Sequence, residues 1–300
     1  EALKTQKKAR QTAEAELAKE RKDVFYPTWD ALRAEAAEED PAVWLTVRDA
    51  DGNLVRRIAG STEPGIHRAS WDLRYPTATP TSFDPPDDDP FSQPDRGPMA
   101  APGTYSVSLS QRVLGKEAAL GEPRSFEVTS LGLATLGAAD QRAVTEFQRK
   151  VARLQRAATA ANQTLDEAKE RVKFVKAAIE NTPGNAATLA PLRDQIRGVE
   201  SRLLDAEINF RGDRVRAGKN EPTPPSLLGR INNIVGTQWD TTAAPTGTSQ
   251  EQYRIASDLF TAVLASLRSA IEVDLKQVEA ALEKAGGPWT PGRLPDWKPE

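Results

Sequence analysis

The sequence predicts a segregated α+β fold, in which an antiparallel β-sandwich precedes an antiparallel helical bundle built on one long helix. Three observations predict it. Short stretches of alternating apolar residues, parted by turn residues, occupy positions 40–130. From Asp140 to Thr182 the apolar residues Val144, Phe147, Val151, Leu154, Ala158, Ala161, Leu165, Ala168, Val172, Val175 and Ile179 recur in steps of three and four, with no proline or glycine among them. Between the two halves, the glycine-dotted stretch Leu131–Gly137 marks the change from period two to period seven.

Residues 1–39 read as a charged helix and an aromatic lead-in. Lys4, Lys7, Lys8, Arg10, Lys19, Arg21 and Lys22 alternate with Glu14, Glu16 and Glu20 around a thin apolar stripe of Leu3, Ala13 and Leu17. Such a helix stands exposed, and its cations could meet acidic lipid or protein, although interspersed acids favour a solvated face. Val24–Trp29 then brings three aromatics, and Thr28 can cap a short helix over 29–37.

Val43, Leu45 and Val47 share one face of a first strand. Asp49–Asn53 is a turn with Gly52 free to take positive φ, and Leu54–Ile58 returns as the second strand of a hairpin. A third strand is expected over Ile66–Leu73, with Ile66 and Trp71 in the core. Positions 76–98 form a loop rich in proline and aspartate, a long excursion without periodicity. Strands over Pro102–Leu109 and Arg124–Val128 complete an Ig-like or fibronectin-type-III-like sandwich.

The bundle is expected over 138–285. At 1.5 Å per residue its first helix is about 60 Å long, and a stripe of that length must be covered by other helices. Thr182-Pro-Gly184 stops it. The next helix repeats the spacing at Leu189, Leu192, Ile196, Val199, Leu203, Ala206 and Phe210, so the two should form an antiparallel hairpin. A short helix holds Leu227, Leu228, Ile231, Ile234 and Val235. A last one, over 250–284, buries Phe260, Leu264, Leu267, Ile271, Leu275, Val278 and Leu282. Positions 286–300 form an extended tail of proline and tryptophan.

The bulk composition excludes several classes. The chain has no cysteine and one histidine, His67, so disulfides, thiolate sites and multi-histidine metal sites are ruled out. A net charge of -3 gives no bulk field for nucleic acid. No apolar run is long enough to span a membrane. The first residues are Glu-Ala-Leu and the sole methionine is Met99, which suggests a processed product or a piece of a longer chain.

Asp51-Gly-Asn-Leu-Val-Arg-Arg-Ile58, Gly65-Ile-His-Arg-Ala-Ser-Trp-Asp72 and Ala101-Pro-Gly-Thr-Tyr105 resemble the Ig-like modules of flagellar hook-cap and secretion-tail proteins. Tyr26-Pro-Thr-Trp-Asp30, Trp71-Asp-Leu-Arg-Tyr-Pro76, Leu120-Gly-Glu-Pro123 and Pro288-Trp-Thr-Pro-Gly-Arg293 look like the C-terminal region of bacterial sortilin-like proteins with BNR repeats. That family is labelled glycosyl hydrolase, and there this region follows β-propellers that are not in this sequence. The resemblance spans nearly the whole chain. It implies a periplasmic or extracellular protein and brings over no catalytic residue. It also suggests an accessory periplasmic subunit of a membrane complex, such as a reaction-centre–light-harvesting complex.

No catalytic, cofactor or metal residues emerge from the residues themselves. A glycosidase needs two carboxylates facing a sugar, and none of the 43 acidic residues sits in a pocket motif. His67 falls on a strand surface with no nucleophile partner. The Asp84–Asp95 cluster offers oxygen ligands for calcium without the spacing of an EF-hand, and an acidic loop accounts for it as well. Arg211-Gly-Asp213 matches an adhesion tripeptide, but three-residue matches are common by chance. The candidate partner contacts are Trp289 and Trp297 in the tail, Trp29 and Arg211. The expected function is a non-catalytic scaffold with protein partners in a larger assembly, including peripheral contact with a membrane complex. The alternative is a carbohydrate-binding or accessory region of a sortilin-like glycosyl hydrolase, and sugar remains a second ligand class.

Overall fold

The computed structural model describes residues 3–81, 83, 95–132 and 136–294. The fold is of mixed α+β content, with an antiparallel sheet and a larger helical part. The chain divides into two compact units, one formed by 1–76 with 96–145, the other by 77–95 with 146–300.

The first unit begins with a helical pair, α1 (Gln6–Lys19) and α2 (Trp29–Ala37). Thr5 and Thr28 cap them by accepting from the amides of Lys8 and Ala31. Arg10 binds both carboxylate oxygens of Glu35, at 2.6 and 2.8 Å, and ties the two helices together.

Strands β1 (Ala42–Asp49) and β2 (Leu54–Gly60) form the expected hairpin. The Asp49 carboxylate accepts from the amides of Asp51 and Asn53, and Gly52 takes a φ of +79°. Strand β3 (Gly103–Val113) pairs through Tyr105–Arg112 with the whole length of β1. Strands β4 (Lys116–Ala119) and β5 (Arg124–Val128) share the other edge of β3. Pairing across β3 shifts by two residues between Ala119 and Arg124; Leu120 still donates its amide to the Leu109 carbonyl at 2.7 Å, so the bulge lies in Gly121–Pro123.

Among the described residues there is one sheet. The stretch expected as a third strand is not one: Ile66 is 102% exposed, and its neighbour His67 places Nε2 2.8 Å from the Glu63 carbonyl oxygen. Only Arg74 bridges, to Met99, flanked by amide bonds from Tyr75 to Pro98 and from Ala100 to Leu73. Pro76, Pro98 and Pro102 lack the N–H groups that would lengthen this ribbon. The ribbon packs Trp71, Tyr75 and Ala100 on Val47, Val55, Tyr105 and Phe126. Trp71 meets Tyr105 edge-on, with ring centroids 5.3 Å apart, and its indole donates to the Arg74 carbonyl.

The second unit is helical. Helix α3 (Ala138–Glu180) has 43 residues and α4 (Ala186–Arg211) has 26. From Val151 to Ile179 the buried side of α3 holds Leu154, Ala158, Ala161, Leu165, Ala168, Val172 and Val175. These pack with Leu192, Ile196, Val199, Leu203 and Phe210 of α4. Short α5 (Arg214–Gly218) follows, then α6 (Leu227–Gln238). Helix α7 (Gly247–Arg268) runs into a π-helical stretch, Ser269–Leu275, and on into α8 (Lys276–Lys284). Gly286, at φ +72°, ends α8: its amide donates to Glu283 and that of Gly287 to Leu282, a Schellman motif. A Cβ on Gly287 would come within 2.6 Å of Leu282 Cδ1 and of Thr182 Oγ1, so the start of the tail lies tight against the end of α3.

Candidate functional site

The candidate contact residues fall on separate parts of the molecule. Arg211 ends α4 and faces α3. Its Nε donates to Asn162 at 2.9 Å, and its other nitrogens pair with Asp166 and, at 3.6 Å, with Glu207. Asp213 is spent as the cap of α5, accepting from the amides of Val215 and Arg216. Both charged ends of the Arg-Gly-Asp tripeptide are thus engaged within the chain.

Arg211 belongs to a set of ion pairs linking α3 to its neighbours. Lys169 meets Glu207 at 2.6 Å, Lys176 meets Glu200 at 2.9 Å, and Glu180 meets Arg193 at 3.1 Å. Numbers rise along α3 as they fall along α4, so the two helices are antiparallel. Arg171 reaches Glu279 on α8, and Arg202 reaches Asp274 in the π-helical stretch at 2.5 Å. An open cleft of about 370 Å³ lies between α3 and α4 beside Ile179 and Ile196. Of its charged walls, Lys176 pairs with Glu200 and Arg193 with Glu180 across the two helices, while Arg197 pairs with Asp194 within α4. Both of its carboxylates, Glu180 and Glu200, hold a cation of the facing helix and stay half or more exposed to solvent.

Trp289 is partly exposed, and Arg293 lies over its ring at 4.8 Å while pairing with Glu283 at 2.6 Å. One indole face is therefore covered by the chain itself. Trp297 lies outside the described residues, as does most of the Asp84–Asp95 cluster. Of that cluster, Asp95 accepts from the Thr79 hydroxyl. Among the described residues no three metal-ligating side chains come together. Among the described residues no helix is long and apolar enough to cross a membrane.

Trp29 stands at the first turn of α2, and its neighbours Phe25 and Tyr26 are more exposed still. Phe25, Tyr26 and Pro27 line a cleft of about 230 Å³ with Arg10, Glu14 and Leu32. The hydrogen bond from Arg10 holds the Glu35 carboxyl below its ordinary range, and the same pairing raises the Arg10 pKa. On the sheet, hydrogen bonds from Ser110 and then Arg57 lower Glu117 in the same way.

Two features escape a reading of apolar periodicity. Gln148, on the buried side of α3, donates to the Gln238 carbonyl at 2.6 Å, and the amide oxygens of both glutamines are buried without a partner. The π-helical stretch is the other. Compared with protein families, with curated proteins and with solved structures, the chain matches none.

Proposed function

We propose that this chain is a non-catalytic scaffold, an interaction subunit of an extracytoplasmic bacterial assembly. The observation that supports this most is the use made of its ionisable groups. Along the α3–α4 cleft and at the α8 contact, Lys169, Lys176, Glu180 and Arg171 of α3 are each paired with a residue of a facing helix, so these groups join the helices. Meanwhile Leu204 and Ile208, one turn apart on α4, stay exposed, as does Phe174 on α3. Exposed apolar side chains on a braced helix pair suit a protein partner.

The Ig-like character of the sheet unit belongs to the same proposal. Tyr105, near the start of β3, donates from its hydroxyl to the Ala101 carbonyl at 2.6 Å, as the tyrosine corner of Ig-like domains does. In this view β2, β1, β3 and the β4–β5 edge make one sheet of a sandwich, and the 71–76 and 97–101 ribbon stands where the second would be. The periplasmic or extracellular location and the kinship with sortilin-like BNR-repeat proteins rest on the motifs quoted above.

The alternative, a carbohydrate-binding region, draws support from the exposed rings of Tyr26 and Trp29. Titration with oligosaccharides while following tryptophan fluorescence separates the two. The scaffold account predicts a flat response, together with a stoichiometric protein partner when the tagged chain is purified from its native membrane and periplasmic fractions. Saturable quenching that disappears in Trp29→Ala would overturn it in favour of sugar binding.

A further inference from the structure

We propose that the outer face of α3 over Lys150, Arg153 and Arg156 is the docking site of an acidic α-helix supplied by a protein partner. The proposal rests on the scaffold reading and names the chemistry of one partner surface, apart from Leu204 and Ile208. From Phe147 to Leu165 the sequence has four basic residues, these three and Arg149, and no acidic one. Lys150, Arg153 and Arg156 are exposed and take part in none of the ion pairs among the described residues. Their spacing puts them on neighbouring turns along one side of the helix, over about 9 Å. Along α3 the nearest acids are Glu146, one turn before Lys150, and Asp166, which holds Arg211. Helix α6, whose Ile234 packs with Val151 and Ala152, has no acid, and Asp240 just past it is engaged. Helix α7, whose Tyr253 meets the Phe147 ring, has Glu251 and Asp258, and both hold Arg254. Like charges at these spacings repel, so the row costs the free chain stability.

The second half of α3 shows what completes such a row. There Lys169, Arg171 and Lys176 each meet a glutamate of a helix lying alongside, Glu207, Glu279 and Glu200. The same residue types in the first half lack those carboxylates, and a helix with acids three and four residues apart would supply them. Arginine forks grip carboxylates through two bonds, which adds direction to the attraction. Ala157 and Ala160 are exposed beside the cations and are small enough for close approach. A lipid surface is disfavoured, because no large apolar side chain is exposed from Phe147 to Leu165 to insert into it. Nucleic acid is disfavoured too: so short a row makes few phosphate contacts, and a net charge of -3 adds no attraction.

The test is fluorescence anisotropy of a labelled helical peptide with glutamates three and four residues apart on one face, titrated with the full chain at low and high salt. Binding should weaken as salt rises. Replacing Lys150, Arg153 and Arg156 together by glutamine should weaken it about tenfold or more. The melting temperature of that variant should hold or rise, since the repulsion goes with the charges. A peptide of the same composition with its glutamates spread round the helix should bind about tenfold more weakly. No binding at low salt would overturn the proposal, as would equal binding by the triple variant or equal binding of the two peptides. Tighter binding of a DNA duplex, of phosphatidylserine vesicles or of a peptide of residues 82–96 of this chain, lost in the triple variant, would also overturn it and identify a different occupant. The scaffold reading is scored apart from this, by crosslinking at Leu204 and Ile208, which these substitutions leave in place.

Discussion

Arg171 on α3 and Glu279 on α8 measure directly what the ionisable groups of the helical unit do. One guanidinium nitrogen stands 2.8 and 2.9 Å from the two carboxylate oxygens. The Glu279 side chain is 5% exposed and that of Arg171 is 34% exposed. Truncating Arg171 strands a carboxylate in the interior. For a fully buried pair the loss is about 3–5 kcal/mol. Here the arginine end is one-third open, and water can follow the truncated side chain, so Arg171→Ala should cost about 2–3 kcal/mol. Glu279→Ala leaves the more exposed partner and should cost less, about 1–2 kcal/mol. Replacing both together, Arg171→Met with Glu279→Leu, should return stability to within about 1 kcal/mol of the parent. Urea unfolding followed by circular dichroism reads all of these. A cost for Arg171→Ala below about 0.5 kcal/mol, additive with Glu279→Ala, would refute the idea that the pair is a structural brace.

Other perturbations test the frame around it. Leu165, fully buried in α3, should cost about 2–5 kcal/mol when cut to alanine, while Lys173→Ala on the outer face should stay within about 0.5 kcal/mol. Thermal denaturation compares them, and equal midpoints would contradict the packing. A Cβ on Gly97 would overlap the carbonyl oxygens of Tyr75 and Pro76, so Gly97→Ala should open the ribbon over the sheet and shift tryptophan emission to the red with the helical signal intact. Unchanged emission would count against the ribbon as the cover of that core. Glu35 should titrate below an ordinary glutamate, because Arg10 favours its ionised form. Its contribution to stability is therefore complete above the unfolded glutamate range and is lost as pH falls through the lowered folded value. Carboxyl NMR in the parent and in Arg10→Met checks this, and identical midpoints would disprove the pairing.

Much of this architecture is legible in the sequence because long periodic runs leave little choice. The steps from Val151 to Ile179 and from Leu189 to Phe210 name the side chains that become buried on α3 and α4. Thr28, Asp49 and Gly52 declare their cap and turn, since each solves a local backbone problem with its own side chain or lack of one. The failures are equally physical. Ile66–Leu73 carries strand-forming residues, yet prolines at 76, 98 and 102 leave it no ladder to join. Strand β4 was hidden because its two-residue turn holds Leu114 and Gly115 at positive φ, where asparagine and glycine would have signalled a hairpin. The π-helical stretch has no composition of its own. Arg211 illustrates the limit for sites: a tripeptide spelled in sequence is unavailable once Asn162, Asp166 and α5 have used its ends. Trp29 is named as a contact from the sequence, and the greater exposure of its neighbours Phe25 and Tyr26 has no signal in apolar periodicity.

The central claim is that the braced helices display surfaces to a protein partner. Site-specific photo-crosslinking in the native cells tests it, with the probe placed in turn at Leu204, at Ile208 and, as a control, at the exposed but charge-paired Asp194. The account predicts one discrete adduct, with the same protein, from both Leu204 and Ile208, and none from Asp194. No adduct from either apolar position would contradict it.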